Sequence, residues 1–404
     1  MPKDIECKIC GGTDLTPCLD LGMQPWGNNF LRENEIGSEP LYPLRLIYCN
    51  TCSCVQLDYT VPKEVMFSDH TYVSGTTETL RRHFEETAKK ADAALPESAE
   101  PRSVLDIGSN DGTQLNEYRK LGYSCLGVES CKKVADIAIE NGIETIVEFF
   151  NLETAKKIGR KFDIINASGI FFHLEELHSA SEGIKEALKD DGIFVVQFLY
   201  MKNIVENLAF DQIYHEHLLY YTLKTLRHLL NLHGMEPFDC YLSPIHGGSA
   251  IVYACHKGTR PVSDNFTRLL QDEETAGANS LKWYKDFAIR VAQMKEDTVA
   301  YLKKKKAEGK TIYGFGAPVK GNTFLNYCKI GTQYLECLVE KNPLRKGLYS
   351  PGMHIPIILE EELRAHPDVY LVLAWNFKEE ILRNNRHLVE KGVEFYFPVN
   401  PKGV

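Results

Sequence analysis

Four consecutive residues, Tyr214, His215, Glu216 and His217, concentrate groups that move or hold protons near neutral pH. The two histidines stand two positions apart, so they do not form the i, i+4 pair of a helical zinc-protease motif. The cluster therefore reads as acid–base machinery. His217 is the candidate base, because an imidazole is half-titrated close to working pH. Glu216 or a nearby carboxylate is the candidate to orient it and stabilise the imidazolium, and Tyr214 to donate to a substrate oxygen or relay a proton. His215 reads as a packing or hydrogen-bonding residue. In a turn or helix start, 214 and 217 share a face. In a strand, Tyr214 and Glu216 face one way and the histidines the other. Both backbones fit the sequence.

A second constellation lies at the N-terminus. Cys7 and Cys10, then Cys49 and Cys52, form two C-x2-C knuckles, the four-thiolate set that structural zinc prefers. Such a site is closed to substrate and stabilises the module that carries it. Cys54 is an alternative ligand and Cys18 a bystander.

A third constellation is the loop in "VLDIGSNDGTQL", a hydrophobic strand ending at Asp106, then Gly108, Asn110, Asp111 and Gly112 opening a helix. Glycine admits positive φ and close backbone approach, and a helix N-terminus suits a carboxylate. The G-x-G-x-x-G dinucleotide fingerprint is absent. Glu129 ends the next strand, "CLGVE", where a carboxylate accepts both hydroxyls of a ribose. Phe149 follows the third strand and borders an adenine, and Asn166 in "FDIINAS" is assigned to the same cofactor. The loop with its ribose acid resembles motifs I and II of class I S-adenosylmethionine-dependent methyltransferases.

The remaining candidates face a substrate. His173 follows the fourth strand, at the carboxyl edge where open α/β sheets bind ligands. His246 opens a tight His-Gly-Gly turn. In "YGFGAPVKGN", a second strand, Gly-rich turn and helix place Lys320 and Asn322 where a diphosphate is expected, and Glu340 closes the following strand. "SPGMHIPI" reads as a turn and an extended segment over a ligand.

These groups need elements to carry them. Residues 1–72, rich in Cys, Pro and Gly, form the zinc-binding unit. Strand-like and helical runs alternate over 73–258, a helical connector spans 259–308, and a second α/β alternation fills 309–404. The fold class is thus α/β, a large and a smaller α/β unit behind a small Cys-rich one. A net charge of −9 argues against nucleic acid or an anionic membrane as partner. No apolar run approaches the roughly 18 residues of a membrane span, and "MPKDIECKIC" is no signal peptide. A cytoplasmic protein acting on a small molecule is expected, with its 12 cysteines as thiols and metal ligands.

Nearly end to end, the chain resembles the sugar C-methyltransferases that act on nucleotide-linked 4-keto-deoxyhexoses in branched-sugar biosynthesis. The likeness rests on the Cys knuckles, "LGMQPWGNNF", "VLDIGSNDG", "IYHEH", "HGGS", "YGFGAPVKGNTFLNYC", "SPGMHIPI" and "LAWNFKEEI", in that order. It implies a zinc-binding domain, a methyltransferase domain and a C-terminal Rossmann-like domain, with the sugar nucleotide between the last two. It also implies that Tyr214, Glu216 and His217 match a catalytic Tyr-x-Glu-His group. One segment departs from the pattern: where the family carries Y-x-Y-x-S-S-Y-S, this chain reads "HTYVSGTTE", with His70 and Thr76 in place of Tyr and only Tyr72 kept near the sugar. The reaction implied is methyl transfer to C3 beside a C4 ketone, whose proton is abstractable because the carbanion is delocalised as an enolate. Methylation of an oxygen or nitrogen of a sugar or small metabolite needs no such ketone. A non-catalytic protein binding cofactor and zinc is the reading from another class.

Overall fold

The computed structural model describes residues 5–67, 73–97 and 99–399. Its strands are β1 (Leu15–Pro25), β2 (Leu41–Cys49), β3 (Val55–Leu57), β4 (Ser103–Ile107), β5 (Ser124–Val128), β6 (Glu144–Ile146), β7 (Phe162–Ser168), β8 (Leu188–Leu199), β9 (Leu219–Tyr220), β10 (Met235–Ser243), β11 (Ser249–His256), β12 (Ile312–Phe315), β13 (Leu338–Glu340), β14 (Ile357–Leu359), β15 (Val369–Val372) and β16 (Glu394–Tyr396). They form three sheets, ordered β1-β2-β3-β9, β10-β11-β8-β7-β4-β5-β6 and β14-β13-β12-β15-β16.

The central sheet has β4 to β8 parallel, while β11 runs antiparallel to β8 and β10 to β11. This is the class I methyltransferase sheet. Its middle strands are covered on both faces and so read in sequence as apolar runs: Val104, Leu105, Ile164, Ile165, Phe194 and Val196 are all buried. The chain order reverses between β4 and β7, which opens a crevice at their carboxyl ends. The C-terminal sheet is wholly parallel and reverses in the same way between β12 and β15.

An amphipathic helix spans Glu78–Ala93. Thr77 caps it by accepting from the Leu80 amide at 3.3 Å, and Leu80, Phe84, Thr87, Ala88 and Ala91 are buried at helical spacing. The connector consists of two helices, Asp264–Thr275 and Leu281–Ala307. It does more than join, because Tyr284, Phe287 and Val291 enter one core with Leu19, Leu44 and Leu46 of the N-terminal sheet and Ile312, Phe324 and Leu338 of the C-terminal unit. The central chain also returns to the first unit, since β9 pairs antiparallel with β3. Among the described residues no helix is long and apolar enough to cross a membrane.

Candidate active site

The Tyr214–His217 segment is a turn: the His217 amide donates to the Tyr214 carbonyl at 2.9 Å. Of the two backbones the sequence allowed, this one places 214 and 217 together, with ring centroids 3.8 Å apart. His217 is buried, and its Nδ1 lies 2.8 Å from the Gln212 carbonyl. A carbonyl only accepts, so Nδ1 carries the proton and Nε2 keeps a lone pair. Burial, helped by nearby His173 and His246, holds the His217 pKa well below its ordinary value. The ring is therefore neutral at pH 7, in the tautomer a base needs. His173 stands beside it, with ring centroids 5.1 Å apart.

Glu216 does not orient His217 through Nδ1; the Gln212 carbonyl does. The Glu216 carboxyl accepts from Trp26 Nε1 at 2.8 Å. Burial raises its pKa from 4.5 to about 7, against the lowering effect of that hydrogen bond. His215 turns away, packs edge-on against Tyr42 of β2, and is pushed down to a pKa of about 4 by burial.

Five residues that the sequence did not single out, Asp211, Gln212, Trp375, Asn376 and Trp26, complete the site beside the predicted Lys320. Asp211 is buried and accepts from Trp375 Nε1 at 2.7 Å. Gln212 Nε2 donates to the His246 carbonyl at 3.0 Å. Lys320 Nζ lies 3.8 Å from the centroid of a Trp375 ring and 2.7 Å from Asn376 Oδ1. Burial lowers the Lys320 pKa to about 8, opposed by Asp211. Trp26, the fifth, comes from the N-terminal unit. Both tryptophans lie inside blocks that carry the family resemblance, which was the one available signal.

His246 occupies the predicted turn between β10 and β11 with φ +57° and is exposed. Desolvation by the protein packed around the turn, helped by His83 and Lys320, lowers its pKa to about 4. Gly247 has φ +88°, and a Cβ there would meet Trp375 Cη2 at 2.5 Å, so only glycine lets the indole reach Asp211. Asn322 is buried and donates to the Gly27 carbonyl at 2.7 Å, which makes it a seam between the outer units and not an open contact. The turn before it offers fewer amides than expected, because Gly316 N donates to the Val339 carbonyl and Ala317 N to Glu340 Oε2. Tyr72 and His70 lie outside the described residues.

The loop expected to hold the cofactor sits at the crevice between β4 and β7. Gly108 has φ +68°, and a Cβ there would lie 2.9 Å from Ile170 Cγ1. Gly112, φ +76°, opens the helix Thr113–Lys120. Glu129 bridges two turns, accepting from Asn110 N at 3.0 Å and Cys131 N at 2.8 Å. Asn110 Oδ1 and Asp111 Oδ2 accept from the amides of Ser74 and Gly75 at 2.8 and 2.9 Å, tying the segment ahead of helix Glu78–Ala93 over the loop. Asp106 is buried and its pKa is raised well above the ordinary range, by burial and then by Glu129. Asn166 is fully buried, its Oδ1 accepting from Tyr118 Oη at 3.3 Å, beneath the loop instead of within the open cradle. Phe149 is half-buried under Lys63 Nζ, 4.7 Å from its ring centroid.

The four sulfurs of Cys7, Cys10, Cys49 and Cys52 lie within 4.8 Å of one another, with Cys7–Cys52 at 3.5 Å and Cys10–Cys49 at 3.6 Å. A Zn–S bond of about 2.3 Å gives tetrahedral S···S edges of roughly 3.8 Å, so the set fits zinc. Cys54 is not one of the four, though its sulfur neighbours Cys7 and Cys52 and is also directed at the Val55 carbonyl.

Three family models cover the chain in turn: a zinc binding domain over residues 7–67, a methyltransferase domain over 80–238, and a C-methyltransferase C-terminal domain over 244–400. C-methyltransferase NovU of Streptomyces niveus is 30% identical over 402 residues, covering 98% of this chain and 95% of that protein. Among solved structures, the PH0226 protein of Pyrococcus horikoshii overlaps 46% of this chain and 95% of its own, at 18% identity and a TM-score of 0.37. Magnesium protoporphyrin IX methyltransferase of Synechocystis with bound SAM overlaps 47% and 87%, at 14% identity and a TM-score of 0.34. At such scores these overlaps add nothing to the fold assignment, which rests on strand order.

Proposed function

The chain belongs to the C-methyltransferase family of its Streptomyces relative, as an S-adenosylmethionine-dependent enzyme with structural zinc, and from that premise we propose that it methylates a nucleotide-linked 4-keto-deoxysugar at C3. The observation that carries this reading is His217, neutral, buried and in the tautomer that leaves Nε2 free to accept a proton. A ring carbon needs such a base, whereas an alcohol or amine already has a lone pair to offer.

In this reading His217 Nε2 takes the proton beside the ketone, and the Gln212 carbonyl keeps the resulting imidazolium oriented through Nδ1–H. Glu216, one residue away and ionised above about pH 7, stabilises that positive charge. Tyr214, packed on the His217 ring, donates to the enolate oxygen. The cofactor, held at the Gly108–Gly112 loop and Glu129, supplies an electrophilic methyl group. Burial of the turn keeps water from reprotonating the carbanion.

A nucleotide handle is supported by a cavity of about 630 Å³ where the first turn of helix Glu78–Ala93 meets the carboxyl ends of β12, β13 and β15. Its walls include Arg82, Phe315, Gly316, Glu340 and Phe377. Glu340 closes β13 as Glu129 closes β5, each accepting from the amide of the preceding β–α loop, so it occupies the ribose-acid position of the second Rossmann-like unit. In this reading Lys320, His173 and His246, which are not among the walls of that cavity, face the sugar, with Lys320 beside the diphosphate. The test is a panel of dTDP- and GDP-linked 4-keto-6-deoxyhexoses with their 4-reduced counterparts. Methylation of a keto-sugar alone, with the new methyl on C3 by NMR, is expected. Turnover of the reduced sugars would indicate oxygen methylation, and a methyl on C5 would move the reaction to the other side of the ketone.

A further inference from the structure

Two of the chain's three tryptophans are directed at the same short turn from opposite ends of the sequence. Trp26 lies in the loop after β1, in the N-terminal unit, and its indole N–H reaches Glu216 Oε1 at 2.8 Å. Trp375 follows β15, in the C-terminal unit, and its indole N–H reaches Asp211 Oδ2 at 2.7 Å. Asp211 and Glu216 bracket Gln212, whose carbonyl fixes the tautomer of His217. Both carboxyls are buried. Each tryptophan is itself fixed: the Gly27 carbonyl next to Trp26 accepts from Asn322, and Trp375 is packed against Gly247 and under Lys320.

A packing role alone would not require both indole N–H groups to end on carboxyls of one turn. We propose that Trp26 and Trp375 are positioning residues for the proton transfer, the N-terminal and C-terminal units each contributing one indole N–H that fixes one carboxyl of the 211–217 turn and so the line from the Gln212 carbonyl through His217. The inference rests on His217 being the base. It makes the central unit competent only when clamped by both of its neighbours.

The test replaces each tryptophan by β-(3-benzothienyl)alanine, which keeps the ring shape and exchanges the N–H for sulfur. On whichever keto-sugar of the panel the wild type methylates, kcat should fall about tenfold or more in the position-375 variant, with KM and cofactor affinity unchanged. That corresponds to losing a hydrogen bond to a charged group. The position-26 variant should move the Glu216 ionisation expected near pH 7 in the rate profile upward, because Glu216 loses a bond that favours its ionised form. Wild-type kcat and pH profile in both isosteric variants, with His217→Ala inactive, would overturn the clamp and leave the base in place. A raised KM at constant kcat would assign the tryptophans to substrate binding, which also overturns it. Activity surviving in His217→Ala would overturn the reading beneath the inference.

Discussion

His217 owes its readiness to one hydrogen bond and to burial: Nδ1–H is committed to the Gln212 carbonyl and the ring is kept neutral. His217→Asn should therefore be as defective as His217→Ala, since an amide cannot accept a proton at neutral pH. General-base catalysis contributes about 10²–10⁴-fold, and single-turnover methyl transfer should fall by at least that range. Glu216 has a signature in stability. Its folded pKa of about 7 lies above the ordinary 4.5, so the folded state holds the proton more tightly than the unfolded one. That contribution is fully present below about pH 4.5 and lost as pH rises through about 7, amounting to roughly 3 kcal/mol at most. Urea unfolding of wild type and Glu216→Gln at about pH 5 and pH 8 should show the variant gaining relative stability at the higher pH. The types of these residues and their adjacency were legible in the sequence. The partners of Glu216 and Asp211 were not, because they lie 190 and 164 positions away and no local pattern encodes such a contact.

At the scale of elements, Glu129 is a brace as well as the proposed ribose ligand. Its two oxygens hold the amides of Asn110 and Cys131, so it sets the mouth of the cofactor loop before any ribose arrives. Glu129→Ala removes two hydrogen bonds to a charged group, each worth about 1.5–3 kcal/mol. Cofactor affinity by calorimetry should fall at least about tenfold, a change of roughly 1.4 kcal/mol. Unchanged affinity would place the cofactor elsewhere. The parallel strands of both Rossmann-like sheets could be read because burial on two faces leaves apolar runs ending at glycine turns. The N-terminal sheet could not be read that way. β1 contains Pro17 and slips register between Pro17 and Leu19 and again between Asp20 and Met23, which breaks the alternation that marks a strand. β9 is two residues long and exists only because β3 lies beside it.

In the whole molecule the three units share cores and a site, so the metal far from the reaction should still be felt there. We expect one zinc per chain. Mercurial displacement of the four thiolates should release it, loosen the unit that carries Trp26, and abolish methyl transfer while cofactor binding at the central sheet persists. Full activity in demetallated protein would separate the zinc unit from the site. The central claim is that this turn makes a carbon nucleophile by removing a proton beside a ketone. It is tested most directly by deuterium exchange at C3 of the methylated keto-sugar, followed by NMR in D₂O with S-adenosylhomocysteine bound so that no methyl can transfer. The wild type should wash deuterium into C3, Tyr214→Phe should do so more slowly, and His217→Ala should leave C3 protonated over the same period. Wild-type exchange in His217→Ala would contradict the account.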